Sequence, residues 1–478
     1  MSIKELEIID GVAQYDLIVI GSGSGNTLIG PEWDTKKVAL IDGGTFGGTC
    51  LNVGCIPTKM FVYPATTAQK ARELNKLGIE AEITAINWAQ IRDRIFPQRI
   101  DKISAGGRDW RAGLPNVDYY PEYAHFVDAH TVQTESGQKL YGRQVVIAAG
   151  SRAVLPAVPG IDLPQVHTND TIMRLEEFPQ RLVVLGGGVV AAEFSHVFSA
   201  LGAQVYQVVR SNRILREVDK EVVDRFVEAA SHQWNILLER SLVEIRENGD
   251  GTVTVVIEHD GQVEEIVADI VLAATGRRSN SDTLKASSFF DVDSRGFIGT
   301  DKYQRVLYNG SPVPGVFALG DVSSPFQLKH VANHEARTVQ HNLSHPDSFV
   351  ASDHRFVPAA VFSNPQIATV GLSEENARKL GEREGFEVTV KSQNYGDTAY
   401  GWAMEDSVGL AKLIARKDTG QLLGAHLVGE EASVLIQPLI QAMSFGLGVK
   451  DMARGQYWIH PALTEVIENA LLGLDVDN

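Results

Sequence analysis

Residues 16–20, Asp-Leu-Ile-Val-Ile, form an almost unbroken apolar run that opens straight into Gly21-Ser22-Gly23-Ser24-Gly25. A run without polar alternation predicts a strand buried on both faces, as in a parallel sheet. A second apolar run, residues 38–41, ends at Asp42, 21 residues beyond Gly21. The pattern recurs. Residues 182–185 are apolar and lead into Gly186-Gly187-Gly188; Phe194, Val197, Phe198 and Leu201 then fall at helical spacing, Gly202 ends the helix, and another strand finishes at Val209. The first copy departs from the second. Asn26 holds the place of its third glycine and Pro31 follows soon after, so its helix is expected to be short or kinked near Gly30-Pro31.

A second pair of strands repeats as well: residues 143–152 and 268–278 end in Ala-Ala-Gly and Ala-Ala-Thr-Gly, each after its own glycine unit. Residues 315–325 read as an apolar strand ending in Gly320-Asp321. Beyond about residue 346 the character changes to strands followed by helices, which predicts a separate C-terminal domain. In each repeat, glycines permit a tight turn and close approach to a pyrophosphate. An acid at the end of the second strand, here Asp42, accepts hydrogen bonds from a ribose. Two such units imply two dinucleotides. The second copy has no acid at that place and instead carries Arg210, Arg213 and Arg216. Guanidinium groups pair with a 2′-phosphate, which points to NADPH rather than NADH.

Composition narrows the class. The formal charge of −17 repels nucleic acid phosphates and anionic lipid, so neither is an expected partner. No apolar run reaches the ~18 residues of a membrane span, and the N-terminus has no secretory apolar core; a cytoplasmic location is expected. The chain has two cysteines, Cys50 and Cys55, five apart in FGGTCLNVGCIPTKM. In a reducing compartment a close pair is catalytic or metal-binding rather than structural. No second Cys/His pair at ligand spacing accompanies it, and His330 with His334 lacks a third ligand, so no metal is expected. Two buried free thiols are the remaining alternative.

With GGTCLNVGCIPTK, ALGDV, the paired Ala-Ala-(Thr)-Gly strands and HPALTE near the end, the chain resembles the FAD-dependent pyridine nucleotide–disulfide oxidoreductases over essentially its whole length. The resemblance implies an α/β fold with two Rossmann-like FAD- and NAD(P)-binding domains and a C-terminal α+β dimerisation domain. The segments would be 1–152 (FAD, first part), 153–277 (NADPH), 278–346 (FAD, second part) and 347–478 (interface). It implies FAD on Gly21, Gly23, Asp42, Gly48, Thr49, Gly150 and Asp321, with the helix opening at Lys329, His330 and Val331 facing the flavin. NADPH would lie on Gly186, Gly188, Arg210, Arg216 and Gly276. Lys59 would pair with Glu193 beside the flavin. Val189 stands where several relatives have an aromatic residue.

The same resemblance assigns chemistry. Flavin links hydride donation by a nicotinamide to thiolate chemistry at a disulfide. Cys55 would be the thiolate nearer the flavin and Cys50 the thiol that attacks the substrate. His460, oriented by Glu465, would manage protons from the other subunit of a homodimer, so that each active site is shared between chains. The substrate would be a low-molecular-weight disulfide. The two-cysteine count leaves no extra C-terminal redox pair, and residues 27–33 carry Pro31 and Glu32 where relatives that grip carboxylates use arginine. A disulfide whose arms carry N-acetylcysteine and a pseudo-disaccharide suits that loss, with Tyr400, Trp402, Tyr457 and Trp458 as possible contacts. Glutathione disulfide is the alternative substrate, and a non-enzymatic redox-sensing flavoprotein is the alternative of another class.

Overall fold

In the computed structural model, residues 5–477 are described and fall into two units. The first comprises the chain up to Thr58 together with 89–154 and 276–354. Its nine-stranded sheet runs Arg305–Tyr308, Ser311–Ala318, Lys139–Ile147, Val12–Ile20, Val38–Ile41, Val117–Tyr120 along the main path. Val12–Ile20 pairs in parallel with strands on both sides, Ile20 lying opposite both Ile41 and Ile147. Leu17, Ile18 and Val19 are fully buried, which is what their unbroken apolar run requires.

No α-helix follows the first glycine turn. Two short 3₁₀ turns, Gly25–Leu28 and Pro31–Trp33, stand in its place. The carbonyls that a helix would have satisfied are taken by Arg111, a buried side chain from the helix Asp101–Ala112. Its guanidinium donates to Asn26 Oδ1 at 2.8 Å, to the Asn26 carbonyl at 3.0 Å and to the Ile29 carbonyl at 3.1 Å. Burial pulls the Arg111 pKa down, and these bonds offset the desolvation. A short or kinked helix was expected here; the chain instead forms two 3₁₀ turns, and the Arg111 stake was not foreseen.

The strands expected at 143–152 and 268–278 each break in two. Lys139–Ile147 and Ile270–Ala273 end at their alanines, and Ser151–Ala153 pairs antiparallel with Arg277–Ser279 in a separate two-stranded ribbon.

The second unit comprises 59–88, 155–275 and 355–478. The chain passes into it along the helix Cys55–Arg72. A parallel sheet is ordered Asn235–Leu238, Gln204–Val209, Arg181–Leu185, Ile270–Ala273, Val166–His167. The helix Val189–Ala200 buries Phe194, Val197 and Phe198 and closes through Gly202, with Ala203 N bonding the Phe198 carbonyl at 2.9 Å. A three-stranded antiparallel sheet, Ser241–Glu247, Val253–His259 and Gln262–Ala268, adjoins it in sequence.

The last part is a five-stranded antiparallel sheet, Ala359–Val361, Gln366–Gly371, Leu422–Gly429, Leu410–Arg416, Val388–Asn394, with helices including Gln437–Phe445 and Glu465–Leu472. Leu413, Leu427, Leu439 and Ile467 share its core. Lys412, also buried, reaches Asp219 at 3.0 Å, Glu221 at 3.1 Å and Glu374 at 2.7 Å. Asp219 in turn caps the helix Lys220–Ala230, so this buried charge is held by partners on two segments far apart in sequence.

Candidate active site

Cys50 lies in the short helix Gly48–Asn52, and Cys55 begins the next one, Cys55–Arg72. This helix–turn–helix brings the two free thiols into hydrogen-bond contact. The Cys50 thiol is pushed well above its ordinary pKa, first by that bond to Cys55, then by burial and by the Cys55 charge; Lys329 pulls it down. Two such groups titrate as one unit. Asn52 braces the turn, its amide donating to the Phe46 carbonyl at 2.9 Å and the Gly48 carbonyl at 3.0 Å.

The glycine turn stands against this segment. Gly21 has φ +108°, and a β-carbon there would lie 2.2 Å from the Ala148 carbonyl oxygen, so only glycine fits. Asp42 is at the strand end, as expected, but it also knits the loop: Oδ2 accepts Ser22 N at 2.7 Å and Ser22 Oγ at 2.5 Å, and Oδ1 accepts Gly44 N at 2.8 Å. Gly47 N then donates to Ser22 Oγ at 2.8 Å. Ser22 thus couples the turn to the segment before Cys50, a role that its place between glycines did not reveal.

Asp321, in the turn Gly320–Val322, accepts from Ser151 Oγ at 2.6 Å. Gly320 N donates to buried Glu335 at 2.7 Å, whose other oxygen meets His354 Nε2 at 2.9 Å. The helix Lys329–Ser344 begins with Lys329, His330 and Val331, a helix start whose backbone N–H groups point outward along the axis. His334 on that helix accepts the Asp353 amide at 3.1 Å; among the described residues no His/Cys/Asp/Glu group could hold a metal. A β-carbon at Gly150 would stand in open space. The tight turn, the two acids, the helix start and this open approach fit a dinucleotide in the first unit.

The second turn repeats the logic. Gly186 has φ +134°, and a β-carbon there would lie 2.3 Å from the Ala274 carbonyl oxygen, while one at Gly188 would meet nothing within 4 Å. Val189 is exposed at the start of its helix. Arg210 and Arg216 are exposed. Arg213 is turned inward, its guanidinium donating to the carbonyls of Arg216 and Val218, so it shapes the loop rather than facing outward. Gly276 belongs to the first unit, where its carbonyl accepts Val154 N at 3.0 Å.

Lys59 Nζ lies 2.6 Å from Glu193 Oε1, and the Phe362 amide donates to that same oxygen at 2.9 Å. The ammonium also sits 4.2 Å from the centre of the Phe362 ring. Phe362, 169 residues beyond Glu193, carries no motif that sequence reading could have used.

His460 Nδ1 is 2.5 Å from Glu465 Oε1, and Glu465 opens the helix Glu465–Leu472. The second carboxylate oxygen is buried without a hydrogen-bond partner, whereas the imidazole is largely exposed. Just before it in sequence, Tyr457 and Ile459 are exposed at 103% and 75%. Tyr400 and Trp402 are exposed on the short helix Ala399–Ala403; Trp458 is half-buried, its indole bonded to the Ala453 carbonyl at 3.3 Å.

Comparison with known proteins agrees with this geometry. Residues 15–336 match the pyridine nucleotide–disulphide oxidoreductase family and residues 357–471 its dimerisation domain. The chain is 50% identical over 473 residues to a mycothione reductase of Mycobacterium tuberculosis, covering 96% of this chain and 99% of that protein. A mercuric reductase of Staphylococcus aureus is 32% identical, covering 97% and 83%. The HOCl-induced flavoprotein disulfide reductase RclA of Escherichia coli, solved as its Cu(II) complex, superposes with a TM-score of 0.82 at 25% identity, covering 96% of this chain and 99% of that one. A cysteine pair in contact, two glycine-turn nucleotide units and a dimerisation domain therefore place the chain in the pyridine nucleotide–disulfide oxidoreductase family, as a flavoprotein disulfide reductase that uses FAD and NAD(P)H.

Proposed function

We propose that this reductase takes its electrons from NADPH and that its substrate is mycothione, the disulfide of mycothiol. The observation that carries the redox reading is the contact between Cys50 and Cys55. The 50% identity to a mycothione reductase across nearly the whole chain supports the substrate, as does the replacement of an arginine-bearing first helix by turns with Pro31 and Glu32. Exposed Arg210 and Arg216 support the 2′-phosphate. FAD, when bound, supplies the transfer of two electrons from the nicotinamide to the cysteine pair; Gly21, Gly23, Asp42, Gly48, Thr49, Gly150, Asp321 and residues 329–331 would hold it.

The chain's own residues then act in thiol–disulfide exchange. The Cys50 thiolate attacks one sulfur of the substrate; that disulfide bond breaks, and the first mycothiol leaves as a thiolate. The partner subunit's His460, as imidazolium, gives it a proton. The Cys55 thiolate then attacks the Cys50 sulfur of the mixed disulfide; the bond to the second mycothiol breaks, that mycothiol leaves as a thiolate and takes a proton from solvent, and the Cys50–Cys55 bond closes. Two electrons pass from the pair to the substrate, and two thiols leave. Glu465 fixes the imidazole tautomer and stabilises its charged form, and Glu193 anchors the Lys59 ammonium. The exposed Tyr457 and Ile459 beside His460 suit a face covered by the second subunit, where a homodimer would assemble the shared site.

Steady-state NADPH oxidation by the purified enzyme, with mycothione and glutathione disulfide as separate substrates, tests the reading. Turnover with mycothione at least about a hundredfold faster is expected, since a site built to hydrogen-bond a substrate's hydroxyls rejects an analogue lacking them. Faster turnover of glutathione disulfide would replace mycothione with it. A reducible flavin without turnover of either would support the sensor.

A further inference from the structure

Lys329 opens the helix Lys329–Ser344, and its Nζ donates to Ser24 Oγ at 2.7 Å. Ser24 lies in the glycine turn, and that turn packs on the segment bearing the thiols. A β-carbon at Gly48 would fall 2.9 Å from Gly23 Cα, and Gly47 N bonds Ser22 Oγ at 2.8 Å. An ammonium is therefore tethered to the loop against which the Cys50 helix is built. Its charge acts on Cys50 in the sense that favours the thiolate, opposing both burial and Cys55. His330 follows it on the same helix, whose N-terminal amides add positive potential there. The Ser24 hydroxyl fixes where that charge stands.

We propose that Lys329 is the charge partner of the reduced Cys50–Cys55 pair, stabilising its first thiolate and thereby setting the pH above which the pair can attack a disulfide. The proton released on thiolate formation passes to solvent. This rests on the redox reading of the pair, and its test separates the two. The FAD-loaded enzyme is reduced anaerobically with one equivalent of NADPH. The rate of iodoacetamide incorporation at Cys50 and Cys55 is then followed by mass spectrometry from about pH 5 to pH 10.

For Lys329→Met the midpoint of the rate is expected to rise by about one pH unit, so that about tenfold less thiolate forms at a given pH. Lys329→Arg keeps the original midpoint. Ser24→Ala, which leaves the charge but cuts its tether, moves the midpoint upward by less, and it reports even if Lys329→Met binds FAD poorly. Unmoved midpoints in both Lys329→Met and Ser24→Ala overturn the proposal while leaving the redox reading intact. If NADPH does not make the unaltered enzyme's thiols alkylatable, the redox reading fails and the proposal goes with it.

Discussion

Several side chains at this site do two jobs. Asp42 ends a strand where a ribose would be read, and it also gathers Ser22 and Gly44 so that the cysteine segment is held to the glycine turn. Glu465 begins a helix and orients His460. Its second oxygen is buried and unbonded, so its contact with the ring runs through Oε1. Glu465→Gln keeps the shape and removes the charge. We expect kcat for disulfide reduction to fall about a hundredfold, the lower end of what one general acid contributes, while reduction of the flavin by NADPH in stopped flow is unchanged. A slowed flavin reduction would show that Glu465 acts on the fold rather than on proton delivery. The residues that sequence reading missed, Arg111, Phe362 and Ser22, share one reason: each meets partners far from it in sequence. Arg111 reaches Asn26 across 85 residues, and no local pattern announces such a contact.

At the scale of elements, the apolar runs located the strands because a strand covered on both faces has no polar alternation to confuse the reading. They misjudged where strands stop. The Ala-Ala-Gly stretches look continuous with their strands, yet the chain turns at Gly150 and Gly276 and starts a new ribbon. The helix Val189–Ala200 carries a further consequence. His196 is buried on it, its Nε2 3.0 Å from Thr66 Oγ1 and its Nδ1 3.4 Å from Gln233 Oε1. The Gln233 amide group donates to the Asn364 carbonyl at 2.6 Å, which leaves its oxygen to accept Nδ1–H; that bond favours the charged ring, and burial outweighs it. Burial lowers the His196 pKa from 6.5 to about 4. Below pH 6.5 the unfolded chain binds a proton that the folded chain refuses, so stability falls with pH through the window from 6.5 down to about 4. The loss across that window approaches about 3 kcal/mol. His196→Gln should remove it, and urea denaturation at pH 7 and pH 4.5 reads the difference; an identical pH slope in the variant would contradict this account.

At the scale of the whole molecule, two repeated nucleotide units and a sheet-and-helix C-terminal part were legible from glycine spacing and a change of pattern. The C-terminal part leaves Tyr457 and Ile459, beside His460 in sequence, exposed to water. If a second subunit covers them and completes the site, two inactive variants should rescue one another. Cys55→Ser and His460→Gln chains, unfolded together and refolded at equal amounts, give mixed dimers with one intact site each. About a quarter of normal activity is expected after random pairing. No recovery, with mixed dimers shown to be present, would place His460 and the cysteines of one site on a single chain.

The central claim is that electrons from the nicotinamide reach the substrate through Cys50 and Cys55. Anaerobic titration of the purified enzyme with NADPH, followed by absorbance, tests it most directly. A long-wavelength band from a thiolate beside oxidised flavin should grow to full height at two electrons per subunit, and Cys55→Ser should lack it. Flavin that bleaches fully at two electrons without the band, or a band that persists in Cys55→Ser, would contradict the account.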